Sequence, residues 1–129
     1  MCEVRVYKTK TFRRFQRKEG MTDAVLCEAV RRAEQGSVDA RLGRNLIKQR
    51  VARQGAGRRG GYRTIIAYRV GDRAVFIYGF AKSDEDNISA ADEQDLAHIG
   101  ALLLGLDAVG IEILIVEGEL WEVEYNEEE

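Results

Sequence analysis

The sequence predicts an α+β fold, with two N-terminal helices packed on a mainly antiparallel sheet and one or two additional C-terminal helices. Three observations carry that expectation. Apolar residues recur at helical spacing early in the chain, change to a period of two through its middle, and return to helical spacing after residue 89. The order that results is β-α-α-β-β-β-α, with the helices on one face of the sheet.

Residues 3–7 alternate Val4 and Val6 with polar neighbours and read as a first strand. From 11 to 18, Phe12 and Phe15 stand three apart among Arg13, Arg14, Arg17 and Lys18, so a helix there turns aromatic rings inward and cations outward. Gly20 ends it. Thr22 can cap a second helix, in which Val25, Leu26, Ala29, Val30 and Ala33 recur at helical spacing up to Gly36. So short a link predicts that the two helices pair as a hairpin.

After Gly43, Ile47 and Val51 face one way while Lys48 and Arg50 face the other. Residues 62–70 and 74–82 are dense in β-branched and aromatic side chains, and Gly71-Asp72 between them is a hairpin turn. On these two strands Tyr62, Tyr68, Phe76, Tyr78 and Phe80, all even-numbered, are expected on one face as core. The connection at 53–61 (R-Q-G-A-G-R-R-G-G) reads as a basic, glycine-rich loop. The strands from Leu46 to Lys82 then make an antiparallel meander. Ser89 and Asp92 open a helix that continues through Leu96, Ile99, Leu102 and Leu103 to Gly105. Asp107 caps another containing Ile111, Leu114 and Ile115, and Trp121, Val123 and Tyr125 alternate as a terminal strand.

Charge is distributed unevenly over this framework. The net charge is −2, yet all 20 Lys and Arg lie between Arg5 and Lys82, and residues 1–82 hold only seven acids. From Ser83 to Glu129 there are 15 acids and no Lys or Arg. The chain reads as one domain over 1–129, with a basic body (1–82) and an acidic helical segment (83–129). Such asymmetry points to nucleic acid or to an acidic partner. No apolar run approaches the ~20 residues of a membrane span, and no signal-peptide pattern opens the chain, so a cytoplasmic protein with no membrane partner is expected. Cys2 and Cys27 form no Cys/His cluster, which predicts no metal site and reduced thiols.

The densest cation cluster belongs to the meander: Lys48, Arg50, Arg53, Arg58, Arg59, Arg63 and Lys82. Any one of them is by default a solvated surface group. Seven in one region, with tyrosine and phenylalanine for stacking, match what single-stranded RNA requires. Arg63 follows Gly60-Gly61-Tyr62, and its guanidinium fork suits a pair of phosphate oxygens. His98, the sole histidine, lies in the acidic segment, which removes a two-histidine ribonuclease mechanism as well as Ser-His-Asp and Cys-His constellations. Phosphoryl-transfer chemistry here would rest on positioning and electrostatics, with no cofactor.

At this point I-K-Q-R-V-A-R (47–53), G-R-R-G-G-Y-R-T-I-I (57–66) and F-I-Y-G-F-A-K (76–82), followed by Asp86-Asn87-Ile88, resemble the RelE/HigB-type toxins of bacterial type II toxin–antitoxin systems, in the RelE/ParE superfamily. The resemblance covers residues 3–88 well and the later helices more loosely. It implies an mRNA interferase that cleaves mRNA on the ribosome by attack of a ribose 2′-hydroxyl and so inhibits translation. It also implies a cognate antitoxin that covers the basic surface, and contact with operator DNA only through the antitoxin complex. Carried over by motif, Lys48 takes an acid/base or charge-stabilising role, and Arg50, Arg63 and Lys82 contact phosphate. Arg53, Arg58, Arg59 and Tyr78 bind RNA around them. Ser83 and Ser89 depart from the pattern, standing where RelE carries an arginine and a catalytic tyrosine. The alternatives on the same fold are a ParE-like, gyrase-poisoning toxin and a catalytically inactive relative that binds nucleic acid or antitoxin.

Overall fold

A computed structural model describes residues 4–53, 57–81 and 89–123, with the side chains at 52, 53 and 57–60 outside the described set. Ten elements follow in order: β1 (Arg5–Thr9), α1 (Lys10–Glu19), α2 (Asp23–Glu34), β2 (Ala40–Gly43), β3 (Leu46–Arg53), β4 (Gly57–Arg69), β5 (Arg73–Ala81), α3 (Ala90–Gly105), α4 (Ala108–Val116) and β6 (Leu120–Val123). The strands form one mixed sheet in the order β2-β3-β4-β5-β1-β6. The expected meander is β3-β4-β5. β1 lies parallel to β5, and β6 pairs antiparallel with β1.

The expectation of helices on one face is corrected. Val30, Phe12 and Leu26, from α1 and α2, share a buried cluster with Ile47, Val51, Tyr62, Ile66 and Phe76. Leu103, Leu104 and Ile111, from α3 and α4, share another with Leu46, Ile65, Ala67, Val75 and Ile77. The sheet therefore has a helical layer on each side. Its central strand already signals this, because Ile65, Ile66, Ala67 and Tyr68 are buried in succession with no polar residue between them.

Within the first layer each helix lies chiefly on the sheet, α1 over β5 and α2 over β3, rather than on the other as the hairpin expectation had it. Phe12 packs its ring against Phe76 with centroids 5.1 Å apart. Gly79 allows the close approach of α1, since a Cβ there would sit 2.6 Å from Phe15 carbons. Lys8 on β1 donates to Gln16 of α1 (2.7 Å) and to Asp23 of α2 (2.8 Å), and Gln16 donates to the same Asp23 oxygen (2.7 Å). This triad, buried at Lys8 and Gln16 and half-exposed at Asp23, ties strand and helices together.

The helix boundaries follow local chemistry. The Thr9 hydroxyl caps α1 by accepting from the Phe12 amide at 3.2 Å, and left-handed Gly20 ends it. Thr22 stands at the N-cap of α2, though its side chain makes no capping bond. Ser89 accepts from the Asp92 amide (3.1 Å) and Asp107 from that of Gly110 (2.8 Å), so both downstream caps fall on the residues the sequence marks.

Two strand features differ from expectation. β2 was not anticipated: it is a four-residue edge strand joined to β3 through Arg44 and Asn45, both at positive φ, a turn that lacks its usual glycine. The supposed loop at 53–61 is mostly ladder, because β4 already begins at Gly57, opposite Arg53.

Candidate functional site

The register of the meander brings the predicted cations together. Arg50 lies directly opposite Arg63, and Arg63 opposite Phe80, in one row across the sheet. The next row is Lys48, Ile65 and Tyr78. By alternation with buried Leu46 and Ile65, all six positions share the face that α3 and α4 cover farther along the sheet.

Tyr78 and Phe80 reach this face through a bulge. Ile65 pairs with Tyr78 and Ile66 with Phe76, leaving Ile77 as an extra residue. Past a bulge of this kind the strand changes which face its side chains take. Phe76 thus points into the α1–α2 cluster, while Phe80 is buried in the other one and half-buried Tyr78 packs against it. The Tyr78 and Phe80 rings lie 5.9 Å apart, tilted by 40°. This corrects the expectation that Tyr62, Tyr68, Phe76, Tyr78 and Phe80 share one face: the first three form core with α1 and α2, and the last two line the cationic side.

Strand β3 is fastened from behind. Gln49, fully buried between Lys48 and Arg50, donates to the carbonyls of Ala29 (3.0 Å) and Ser37 (3.2 Å) and accepts from the Asp39 amide (2.8 Å). Thr64 donates to the Gln49 carbonyl at 2.9 Å. β2 ends opposite Lys48, which would leave the sheet edge open at Arg50. There the Arg50 amide donates to the Asp39 carboxylate at 2.6 Å, and its carbonyl accepts from Arg32. These side chains do the work of the missing strand. Sequence reading overlooked Gln49, Asp39 and Arg32, although Gln49 falling between Ile47 and Val51 on the core-facing side was a visible signal.

Two arginines directly opposite each other repel, at a cost of about 0.2–1 kcal/mol. Neither Arg50 nor Arg63 forms a side-chain ion pair among the described residues. Arg50 is exposed, and Arg63 and Lys48 are partly so. The arrangement is therefore a row of cations beside the half-buried Tyr78 ring, chemically suited to an anion with flat substituents. Lys82 lies outside the described residues, as do Ser83 and residues 86–88. The backbone of Arg53, Arg58 and Arg59 belongs to β3 and β4, but their side chains lie outside the described set. Ser89 is spent as the α3 cap, and His98 is exposed on α3, a helix packed on the far part of the sheet. Among the described residues no group of His, Cys, Asp and Glu could hold a metal ion.

The far end of the same face puts its cations to a different use. Arg73 donates to the carbonyls of Leu103 (2.7 Å) and Leu106 (2.9 Å), and Arg69 to that of Leu104 (2.7 Å). α3 has no basic residue in its last turn, so arginines from the sheet satisfy its terminal carbonyls and the negative end of its dipole. At the edge, Arg13 stacks on Trp121 (4.4 Å to the ring centroid), and Arg5 pairs with Glu122 at 2.6 Å.

Fold and site together define a small α+β protein whose sheet carries a row of cations on one face. Residues 4–123 match the model of the RelE toxin of the RelE/RelB toxin–antitoxin system, and the chain belongs to that family. No curated protein matches it. Membership in a toxin–antitoxin family implies an antitoxin partner. No single helix among the described residues is long and apolar enough to cross a membrane.

Proposed function

We propose that this toxin is a ribosome-dependent mRNA endonuclease that works without a metal. The observation that carries this reading is the pairing of Arg50 with Arg63, neither in an ion pair among the described residues, on the face that also bears Lys48 and Tyr78. A phosphodiester seated across that row would have its non-bridging oxygens against two guanidinium forks, which stabilise the charge that grows as a ribose 2′-hydroxyl attacks phosphorus. Lys48 takes the acid/base or charge-stabilising role, and Lys82 a further phosphate contact. Tyr78 stacks a neighbouring base, the aromatic part that Ser89 cannot play. Arg53, Arg58 and Arg59 extend the track along the RNA backbone.

The cognate antitoxin neutralises the toxin by covering this cationic face, and the toxin reaches operator DNA only in that complex. The reading places the protein in the cytoplasm, where the ribosomes are. Induction of the wild type beside Arg63→Ala, with mapping of mRNA ends and of DNA supercoiling, tests it. Codon-positioned cleavage that disappears in Arg63→Ala is the expected result. DNA breaks without RNA cleavage would replace it with gyrase poisoning, and the absence of any growth defect would mark an inactive relative.

A further inference from the structure

Of six large apolar side chains exposed among the described residues, five lie on α3 and α4: Ile99, Leu102, Val109, Ile113 and Val116. α4 is the extreme case. Its inner side is already satisfied, with Ile111 buried and Leu114 and Ile115 packed against the same cluster. Its outer side repeats the chemistry without a partner. Val109, Ile113 and Val116, at i, i+4 and i+7, form one stripe and remain 67%, 51% and 76% exposed. Helix propensity does not explain them, since β-branched residues are poorer helix formers than the Ala, Glu or Lys that a solvated position would accept. An outer stripe that costs both propensity and solubility is expected where something covers it.

The rim says what covers it. Glu112 and Glu117 flank the stripe and line the same shallow depression with Ala108, Val109, Ile113 and Val116. No Lys or Arg occurs from Ser83 to Glu129 to answer them. A second copy docked symmetrically would set these glutamates against their own equivalents. Nine residues of helix also span only about 14 Å, small beside the ~800 Å² per partner of a stable interface. An anionic membrane surface is disfavoured by the same charges, because helices that lie on membranes carry Lys and Arg on their polar face.

We infer that the outer face of α4 is a docking surface for a partner-protein segment whose apolar side chains are flanked by Lys or Arg. The surface is separate from the Lys48/Arg50/Arg63 face and does not depend on the RNA reading. The partner's aliphatic groups fill the Val109/Ile113/Val116 stripe, and its cations meet Glu112 and Glu117.

Fluorescence anisotropy with two labelled model helices tests this, one built of Leu and Lys and the other of Leu and Glu, against the full chain. The Leu/Lys peptide should bind at least about tenfold more tightly than the Leu/Glu peptide, a preference of roughly 1.4 kcal/mol. The triple variant Val109→Ser/Ile113→Ser/Val116→Ser, altered only at exposed positions, should lose that binding, with circular dichroism confirming an intact fold. Glu112→Lys/Glu117→Lys should reverse the preference. Equal affinity for both peptides, or binding unchanged in the triple variant, overturns the proposal. So does concentration-dependent self-association in sedimentation velocity that the triple variant abolishes, since the surface would then belong to a second copy. Binding to neutral phosphatidylcholine vesicles that the same variant abolishes would assign the stripe to lipid and likewise overturn it.

Discussion

Strand β4 carries Arg63 at its middle and Arg69 at its end, on the same face of the same sheet. Arg69, with its cross-strand neighbour Arg73, reaches the last carbonyls of α3. Arg63 faces another arginine and makes no ion pair among the described residues. Residue type, strand and face are shared, so the difference lies in the neighbours: Asp72 of the hairpin turn pairs with Arg69 at 2.8 Å, and α3 lies over that end of the sheet. One pair of cations completes a helix terminus and serves the fold. The other has no ion pair among the described residues to relieve its repulsion, the condition under which an anionic ligand gains most by binding.

This contrast can be broken at either end. At the open end, Arg63→Ala should lower RNA cleavage by on the order of 100-fold, the scale seen when one preorganised donor to a developing oxyanion is removed. Its thermal midpoint should stay close to wild type. An unchanged cleavage rate in that variant would remove Arg63 from the site. If Lys48, Arg50 and Arg63 each neutralise a phosphate, the salt slope for single-stranded RNA is about −2, so raising salt from roughly 50 to 200 mM should weaken binding by about 20-fold. A filter-binding titration with a flat salt response would contradict a cationic binding face.

At the closed end, Arg73→Met should cost about 2 kcal/mol or more in a urea titration, because it removes two charge-assisted hydrogen bonds whose usual worth of about 1.5–3 kcal/mol each is reduced by partial exposure. Cleavage per folded molecule should be unaffected. The sharpest single comparison is Arg50→Gln. Relief of the opposed arginines should raise stability by about 0.2–1 kcal/mol while activity falls, the reverse of Arg73→Met. Loss of stability in Arg50→Gln would mean that its guanidinium serves the fold after all.

The smallest effect is a pH dependence at the Lys8–Gln16–Asp23 triad. Burial pushes the Asp23 carboxyl up, but hydrogen bonds from Gln16 and Lys8 together with the Lys8 charge outweigh it and hold the group below its usual value. A carboxylate depressed in the folded state stabilises the fold fully above its unfolded value of about 3.9, and that contribution is lost as pH falls through the folded value. Urea midpoints measured downward from pH 5 should therefore fall more steeply for the wild type than for Asp23→Asn. Parallel curves would show that the triad does not couple to protons.

Much of this molecule was legible one element at a time. Phe12 and Phe15 marked the inward side of α1, and Gly20, Ser89 and Asp107 marked helix ends, because caps and periodicity act between neighbours in the chain. The cationic character of β3 and β4 was equally plain, and register set Arg50 against Arg63. What escaped was non-local. β2 is held by pairing across a turn whose two central residues are Arg44 and Asn45 rather than glycine, and the bulge at Ile77 has no residue signature. Yet that bulge decides that Tyr78 joins the cations while Phe76 joins the core. Gln49 as a clamp required α2 to lie behind it.

The sequence by itself determined the division of charge: every cation before Ser83, and 15 acids after it. Only the tertiary structure decided how that division is used. α3 crosses one end of the sheet, so Arg69 and Arg73 are consumed by its carbonyls while Arg50 and Arg63 stay open. Composition fixes how many charges a chain carries, but each charge is worth what its neighbours make of it, and those neighbours are distant in sequence.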